Sequence, residues 1–313
     1  MRLGLKVIRQ ENIQAIFSSA PPYTTHLIAR NLKRATGLPW VADFRDSWIG
    51  WLSTPQWRPA PSRAVERRME RSVLAEADRI LTVSEGVKED LLSRHPHLRD
   101  ARWSLLPNGF DPEDFPPKTK NECVRDRLIL TYSGSLYGPR NPEYLIRALE
   151  AMQQNGTPAL EHLRLRLVGR VGQPILDRID SSPVRELFEF KPYMSHQASL
   201  ALLQESDVLL LIIDDVPASR GILTGKLFEY IGAGKPILAL APDGEAADLI
   251  RAHGLGRVVH PKNVSEIRDA LAELIELKSN GKLQVKLDRA VKEKFDRKTL
   301  TRRLAEILDG LVR

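Results

Sequence analysis

Short apolar runs alternate with segments of helical periodicity along the whole 313-residue chain. In its first third, IQAIFSS (13–19), PWVADF (39–44), RILTVS (79–84) and RWSLLPN (102–108) read as strands. They are short, rich in β-branched and aromatic side chains, and bounded by Pro, Ser or Asn. Between them YTTHLIARNLKRATG (23–37), SRAVERRMERSVLAEA (62–77) and GVKEDLLSRH (86–95) carry the helical period, the first stopping at Gly37. GFDPEDFPPKTKNECVRD (109–126) has no period and reads as a linker. The alternation then restarts. RLILTYSG (127–134), LRLRLVG (163–169), LFEFKP (187–192), DVLLLII (207–213), PILAL (236–240) and GRVVH (256–260) read as strands, with helices between and after them. DVLLLII is wholly apolar, as a central parallel strand buried on both faces must be.

Such alternation demands parallel sheets. The expected fold is α/β, with two Rossmann-like domains facing a cleft: residues 1–120, residues 121–295, and a closing helix, 296–313, packing back toward the first domain. The first domain offers four strands where a full nucleotide-type sheet has about six. No Gly-rich turn follows its first strand. The N-terminal domain is therefore expected to be incomplete, either reduced or begun inside a longer ancestor.

Composition is that of an ordinary globular protein, 42% apolar and 28% charged. A net charge of +7 suits an anionic partner such as a nucleotide or an acidic membrane face. The single cysteine, Cys123, excludes an internal disulfide and fits a reducing cytosol. The longest aliphatic run, VLLLII (208–213), is far short of the ~20 residues of a membrane span. The N-terminus has no signal-peptide pattern. No HExxH, CxxC or GxSxG pattern is present, so neither a metal nor a serine-nucleophile site is expected. The arginines are dispersed, which argues against nucleic acid.

Three stretches carry candidate chemistry. In TGKLFEYIGAGKPIL (224–238), Thr224 is an N-cap candidate, and the amides of Gly225, Lys226 and Leu227 open a helix toward an anion. Lys226 adds a cation, and Glu229, one turn on, suits two vicinal hydroxyls. Pyrophosphate plus ribose accounts for all of these together; a capped helix with a first-turn acid is the plainer alternative. In YSGSLYGPRNPEYLIRAL (132–149), Gly134 and Gly138 allow close backbone approach, and Arg140 stands where a phosphate clamp would. In PWVADFRDSW (39–48), Asp43, Arg45 and Asp46 follow a strand, with Trp48, Trp51 and Trp57 behind them. Arg63, Arg67, Arg68 and Arg71 make a basic helix face nearby, either solvated or turned to a lipid surface.

Taken in order, SSAPPYTTHLIA, PWVADFRDSW, ADRILTVSEGVKEDL, LLPNGFDPEDF, YSGSLYGPRNP and TGKLFEYIGAGKPIL resemble glycosyltransferase family 4, of the GT-B fold, across nearly the whole chain. The resemblance implies metal-independent, cofactor-free, retaining transfer from a nucleoside-diphosphate sugar to a glycan or lipid-linked acceptor. The single cysteine fits a cytoplasmic enzyme, and the basic charge with the tryptophans is compatible with a peripheral place at the inner membrane face. Glu229 matches the second glutamate of the family's E-x7-E pair, while the first falls at Gly221. Arg140 matches the second of the family's two cations, while the first falls at Ser135; Lys226 is expected to supply the missing charge. Gly134, Ser135, Lys191 (in FKPY, 190–193), Thr224, Gly225 and Leu227 complete the expected donor set. Arg45 and Asp46 replace a His-Asp pair and are expected to act on the acceptor or the transferring sugar. The family's first three strands and their glycine-rich loop have no counterpart here. That favours one alternative, a truncated, non-catalytic nucleotide-sugar binder or partner subunit; a second, a sugar-nucleotide epimerase of the same fold, would need an acid/base set of carboxylates and His that the sequence does not assemble.

Overall fold

The computed structural model describes residues 1–49, 59–98, 102–117, 127–138, 140–285 and 287–312. Trp51, Trp57 and Cys123 lie outside them. The chain forms two compact units: residues 1–108 with 221–223 and 298–313, and residues 109–220 with 224–297.

In the first unit, α1 (Arg2–Gln10) precedes β1 (Ile16–Ala20), α2 (Thr24–Thr36), β2 (Trp40–Phe44), α3 (Ala60–Glu76), β3 (Arg79–Thr82), α4 (Glu85–Arg94) and β4 (Trp103–Leu105). Among the described residues the strands make a parallel sheet in the order β1-β2-β3-β4. β2 is buried along its whole length. This is why its sequence is a continuous apolar run with a single acid, Asp43. α2 ends as its sequence demands: Gly37 adopts φ +73° and returns its N–H to the Lys33 carbonyl. The α1 helix was not anticipated, although its apolar residues recur at helical spacing; it is under three turns long and buries no residue. His26 is fully buried, with its Nδ1 2.8 Å from the Ser18 hydroxyl, which also accepts from Trp40 Nε1. Burial pushes its pKa down to about 4, so the ring is a neutral core residue.

The second unit runs β5 (Leu128–Ser133), α5 (Glu143–Gln154), β6 (Leu163–Val168), α6 (Gln173–Asp180), β7 (Phe188–Lys191), α7 (His196–Glu205), β8 (Val208–Ile212), α8 (Gly225–Ala233), β9 (Ile237–Leu240), α9 (Glu245–Ala252), β10 (Gly256–Val259), α10 (Val264–Ser279) and α11 (Arg289–Phe295). Its parallel sheet has the order β10-β9-β8-β5-β6-β7. This is the doubly wound order of a nucleotide-binding sheet. β5 and β8 lie side by side, yet the chain leaves them in opposite directions across the sheet. Their carboxyl ends therefore bound the crevice where such sheets take ligands. β8 is buried throughout, as its VLLLI sequence requires. The last helix, α12 (Arg297–Val312), belongs to the first unit from residue 298 onward. There Leu300 joins Val41, Leu81 and Leu106 in a small core, flanked by Leu304, Ile307, Leu308 and Leu311.

Candidate functional site

In the second unit, the candidate residues gather at the carboxyl ends of β5 and β8. Gly134 ends β5 with φ +124°, a conformation that favours glycine, and its amide donates to the Val168 carbonyl at 2.8 Å. A Cβ at Gly134 would sit 2.5 Å from the Lys226 ammonium. The absent side chain is thus the space that Lys226 fills. Lys226, in the first turn of α8, donates to the Tyr132 hydroxyl at 2.5 Å and lies 4.1 Å from that ring's centroid. Tyr132 in turn donates to the Ser135 carbonyl at 3.0 Å. Ser135 therefore enters through its backbone, while Lys226 places a cation beside the turn that Ser135 occupies.

Charge is concentrated here without direct pairing. Burial, reinforced by Arg140, lowers the Lys226 pKa to about 8, against the pull of Glu229 and Asp214. Burial raises the Asp214 carboxyl above the ordinary aspartate value, opposed by Arg140 and Lys226. Three buried atoms, Arg140 Nε, Asp214 Oδ1 and Thr224 Oγ1, have no hydrogen-bond partner among the described residues. Buried polar atoms are usually paired, so each of these three has hydrogen-bonding capacity left over at this end of the sheet.

The opening of α8 departs from expectation in one respect. Thr224 occupies the N-cap position, but its hydroxyl makes no capping bond. The Leu227 amide instead donates to the Thr224 carbonyl at 3.2 Å, closing the first turn in the tighter i→i+3 manner. Leu227 is fully buried as well, so neither its amide nor its side chain is open to a ligand. The amides of Gly225 and Lys226 remain in the first turn, where no intrahelical carbonyl reaches them. Glu229 is half-buried, and its Oε1 lies 3.1 Å from Nε2 of the exposed His196. Lys191 pairs with Glu189 at 2.8 Å, and its carbonyl accepts from Gly169. Lys191 thus lines β7 through its backbone, with its charge already matched.

The first unit holds Arg45 and Asp46 just past β2. Arg45 is braced: Nη1 donates to the Leu106 carbonyl at 2.9 Å and reaches Asp43 at 3.3 Å, and Nη2 donates to Asn108 Oδ1 at 2.5 Å. Asp43 is buried and also accepts from Ser19 at 2.7 Å. Asp46, by contrast, is exposed. Partial desolvation lifts its carboxyl above the ordinary value, opposed by Arg45. Of the pair, Asp46 is therefore the free group and Arg45 the fixed one. Trp48 is not a groove-lining residue: it is buried, stacked on Tyr23 with centroids 4.8 Å apart. Arg63, Arg67, Arg68 and Arg71 are exposed along α3. Among the described residues no three His, Cys, Asp or Glu side chains come together in a manner suited to a metal ion. No described helix is long and apolar enough to cross a membrane.

Tyr132, Asp214 and His196 were missed. Their partners lie far along the chain, and only Asp214 carried a local signal, an acid directly after a wholly apolar strand.

Comparison with known proteins bears on both units. Residues 2–109 match the model described as "Glycosyl transferase 4-like domain", and residues 116–294 match "Glycosyl transferases group 1". A D-inositol 3-phosphate glycosyltransferase of Stackebrandtia nassauensis is 29% identical over 106 residues, which is 32% of this chain and 24% of that protein. The match thus spans about a quarter of the relative's length. Anabaena HepE, solved in complex with UDP, superposes with a TM-score of 0.75 at 16% identity, over 99% of this chain and 82% of its own. Sucrose-phosphate synthase of Thermosynechococcus elongatus gives 0.74 at 15% identity, over 99% and 76%. At these identities the likeness is one of fold, GT-B, with two α/β units each built on a parallel sheet.

Proposed function

Because the chain belongs to the group 1 glycosyl transferases, whose model covers residues 116–294, we propose that it moves a sugar from a nucleoside-diphosphate sugar to a glycan or lipid-linked acceptor, with retention and without a metal. One observation carries the donor half: Lys226, Arg140 and the first amides of α8 meet at the β5–β8 crevice beside three unpartnered buried polar atoms. A diphosphate has the acceptor oxygens such a cradle lacks. As the sugar–oxygen bond breaks, charge grows on the departing phosphate. Fixed cations and helix amides already face that charge, so little reorganisation is needed. Glu229 is assigned to the ribose hydroxyls, where its carboxylate accepts two hydrogen bonds. Asp46, presented by the braced Arg45, is assigned to the acceptor side. That HepE, of the same fold, was solved in complex with UDP supports a nucleotide ligand here.

Titration calorimetry with UDP, GDP, ADP and CDP tests this. At least one is expected to bind, and Glu229→Ala is expected to weaken that binding about tenfold or more, the loss of two hydrogen bonds to a charged group. Unchanged affinity in the variant overturns the ribose assignment.

The exposed Arg63, Arg67, Arg68 and Arg71 of α3 support a cytoplasmic enzyme working at the inner membrane face on a lipid-linked acceptor. The protein is expected to float with phosphatidylserine-rich vesicles at low salt and to be released at high salt. Failure to float at low salt counts against a membrane-borne acceptor.

A further inference from the structure

Lys226 reaches the turn after β5 from another strand–helix pair, and three residues build the seat it occupies there. Tyr230, one turn further along α8, is fully buried. Its hydroxyl donates to the Leu210 carbonyl of β8 at 3.1 Å and accepts from the Ser133 amide of β5 at 3.3 Å. That pins α8 across the two strands. Residues four apart share a helix face, so Lys226 is carried to the end of β5. Gly134 supplies the room: a Cβ there would lie 2.5 Å from both Cε and Nζ of Lys226. Tyr132, two residues before Gly134 and 1% exposed, closes the seat. Its hydroxyl proton is committed to the Ser135 carbonyl at 3.0 Å, so its lone pairs accept from the Lys226 ammonium, 2.5 Å away. Its ring centroid lies 4.1 Å from the same nitrogen, close enough for a cation–ring attraction. An ammonium has three N–H donors, and Tyr132 takes one of them.

We propose that Tyr132 is a positioning residue that acts through Lys226: its hydroxyl and ring hold the ammonium over Gly134, with two N–H donors left for the diphosphate of the donor. This rests on the reading of the crevice as the donor-diphosphate site. A lysine head swings on a flexible four-carbon stem, and ordering it at the moment of binding opposes affinity. Here the order is present before the anion arrives. The bond to Ser135 ties the turn after β5 to the same hydroxyl, so the turn and the cation are fixed together.

The test is a double-mutant cycle read by calorimetry with UDP, or with whichever nucleoside diphosphate binds, at ligand concentrations high enough to measure the weakened variants. Tyr132→Phe keeps the ring and removes the hydroxyl. It is expected to lower affinity about tenfold, as loss of one hydrogen bond to a charged group does. Tyr132→Leu, which removes the ring as well, is expected to lower it a further few-fold. In a Lys226→Met background Tyr132→Phe is expected to cost less than about twofold, because the group it positions has gone. A loss of equal size in both backgrounds overturns the proposal, since the hydroxyl then acts through another group such as Arg140 or the turn. So does a variant that melts earlier but binds as wild type does, which would make Tyr132 part of the fold alone. A gain in affinity also overturns it, by showing that Tyr132 withholds the ammonium. If wild type binds nucleotide, each of these failures leaves the donor site standing. If wild type binds none of the panel, the donor-site reading falls and this proposal with it.

Discussion

Lys226→Met is expected to cost nucleotide affinity at least about 100-fold and yet to make the protein more stable. The first effect follows from the loss of a charge-assisted contact to phosphate in a partly buried crevice, typically worth several kcal/mol in such settings. The second follows from the pKa of Lys226, which burial lowers to about 8 from the ordinary lysine value of about 10.5. An unfolded chain holds that proton up to about pH 10.5, and the folded chain resists it. Below pH 8 the folded state therefore carries a cost of up to about 3 kcal/mol, which fades as pH rises from 8 to 10.5. Methionine has a similar length and no charge to desolvate. It gives up the bond to Tyr132 and the cation–ring contact, so the net gain at pH 7 is expected to be about 1–2 kcal/mol, a few degrees in Tm. Above about pH 10 the variant's advantage should be gone. Thermal scans at pH 7 and pH 10, beside nucleotide titrations, read both effects. A variant that loses binding and stability together would mark Lys226 as structural.

The helix proposed for the donor was legible as a helix because its signals are local. Thr224, Gly225, Lys226 and Glu229 follow one another along α8, and a helix start places consecutive residues predictably. Its partners were not legible. Tyr132 lies 94 positions from Lys226, and only the β5–β8 pairing brings them together. The role of Gly134 was half-read: close approach was expected from a ligand, and the near atom is the Lys226 ammonium. Arg45 shows the opposite limit. Its type and place after a strand suggest chemistry, but its guanidinium is committed to Leu106, Asn108 and Asp43, and two of those lie beyond the next strand. The alternation of strands and helices specified both sheets, since buried parallel strands have no polar face to confuse the pattern. Sheet order is set by long-range packing, and with it the switch point at β5 and β8.

Glu70→Ala is expected to destabilise the first unit by about 3–5 kcal/mol, more than any other single change considered. Glu70 of α3 is fully buried. It accepts from Arg94 of α4 through Nε at 3.0 Å and Nη2 at 3.2 Å, and its Oε1 lies 2.9 Å from His95 Nε2. Arg94 goes on to Asp90 at 2.8 Å and to the Ser47 hydroxyl at 2.9 Å, and Ser47 donates to Asp90. The Ser47 carbonyl accepts from Tyr23 at 2.8 Å. Removing the acid takes two hydrogen bonds from a largely buried guanidinium, which keeps Asp90 and the Ser47 hydroxyl, takes the partner from the buried His95, and leaves a cavity. Removing both ends, as in Glu70→Leu with Arg94→Met, takes out the buried pair together, leaves the partly exposed Asp90 with the Ser47 hydroxyl, and is expected to recover much of the loss. Urea unfolding followed by tryptophan fluorescence isolates this effect, because all five tryptophans (40, 48, 51, 57 and 103) lie within residues 1–108. The network also fixes the residue next to Asp46, so its purpose separates from its stability in the double variant. If that variant is stable but cleaves donor sugar more slowly, the buried charges serve to hold Ser47, and through it to present Asp46. If stability and turnover both return, the pair is scaffold alone, and the braced Arg45 suffices to place the acid.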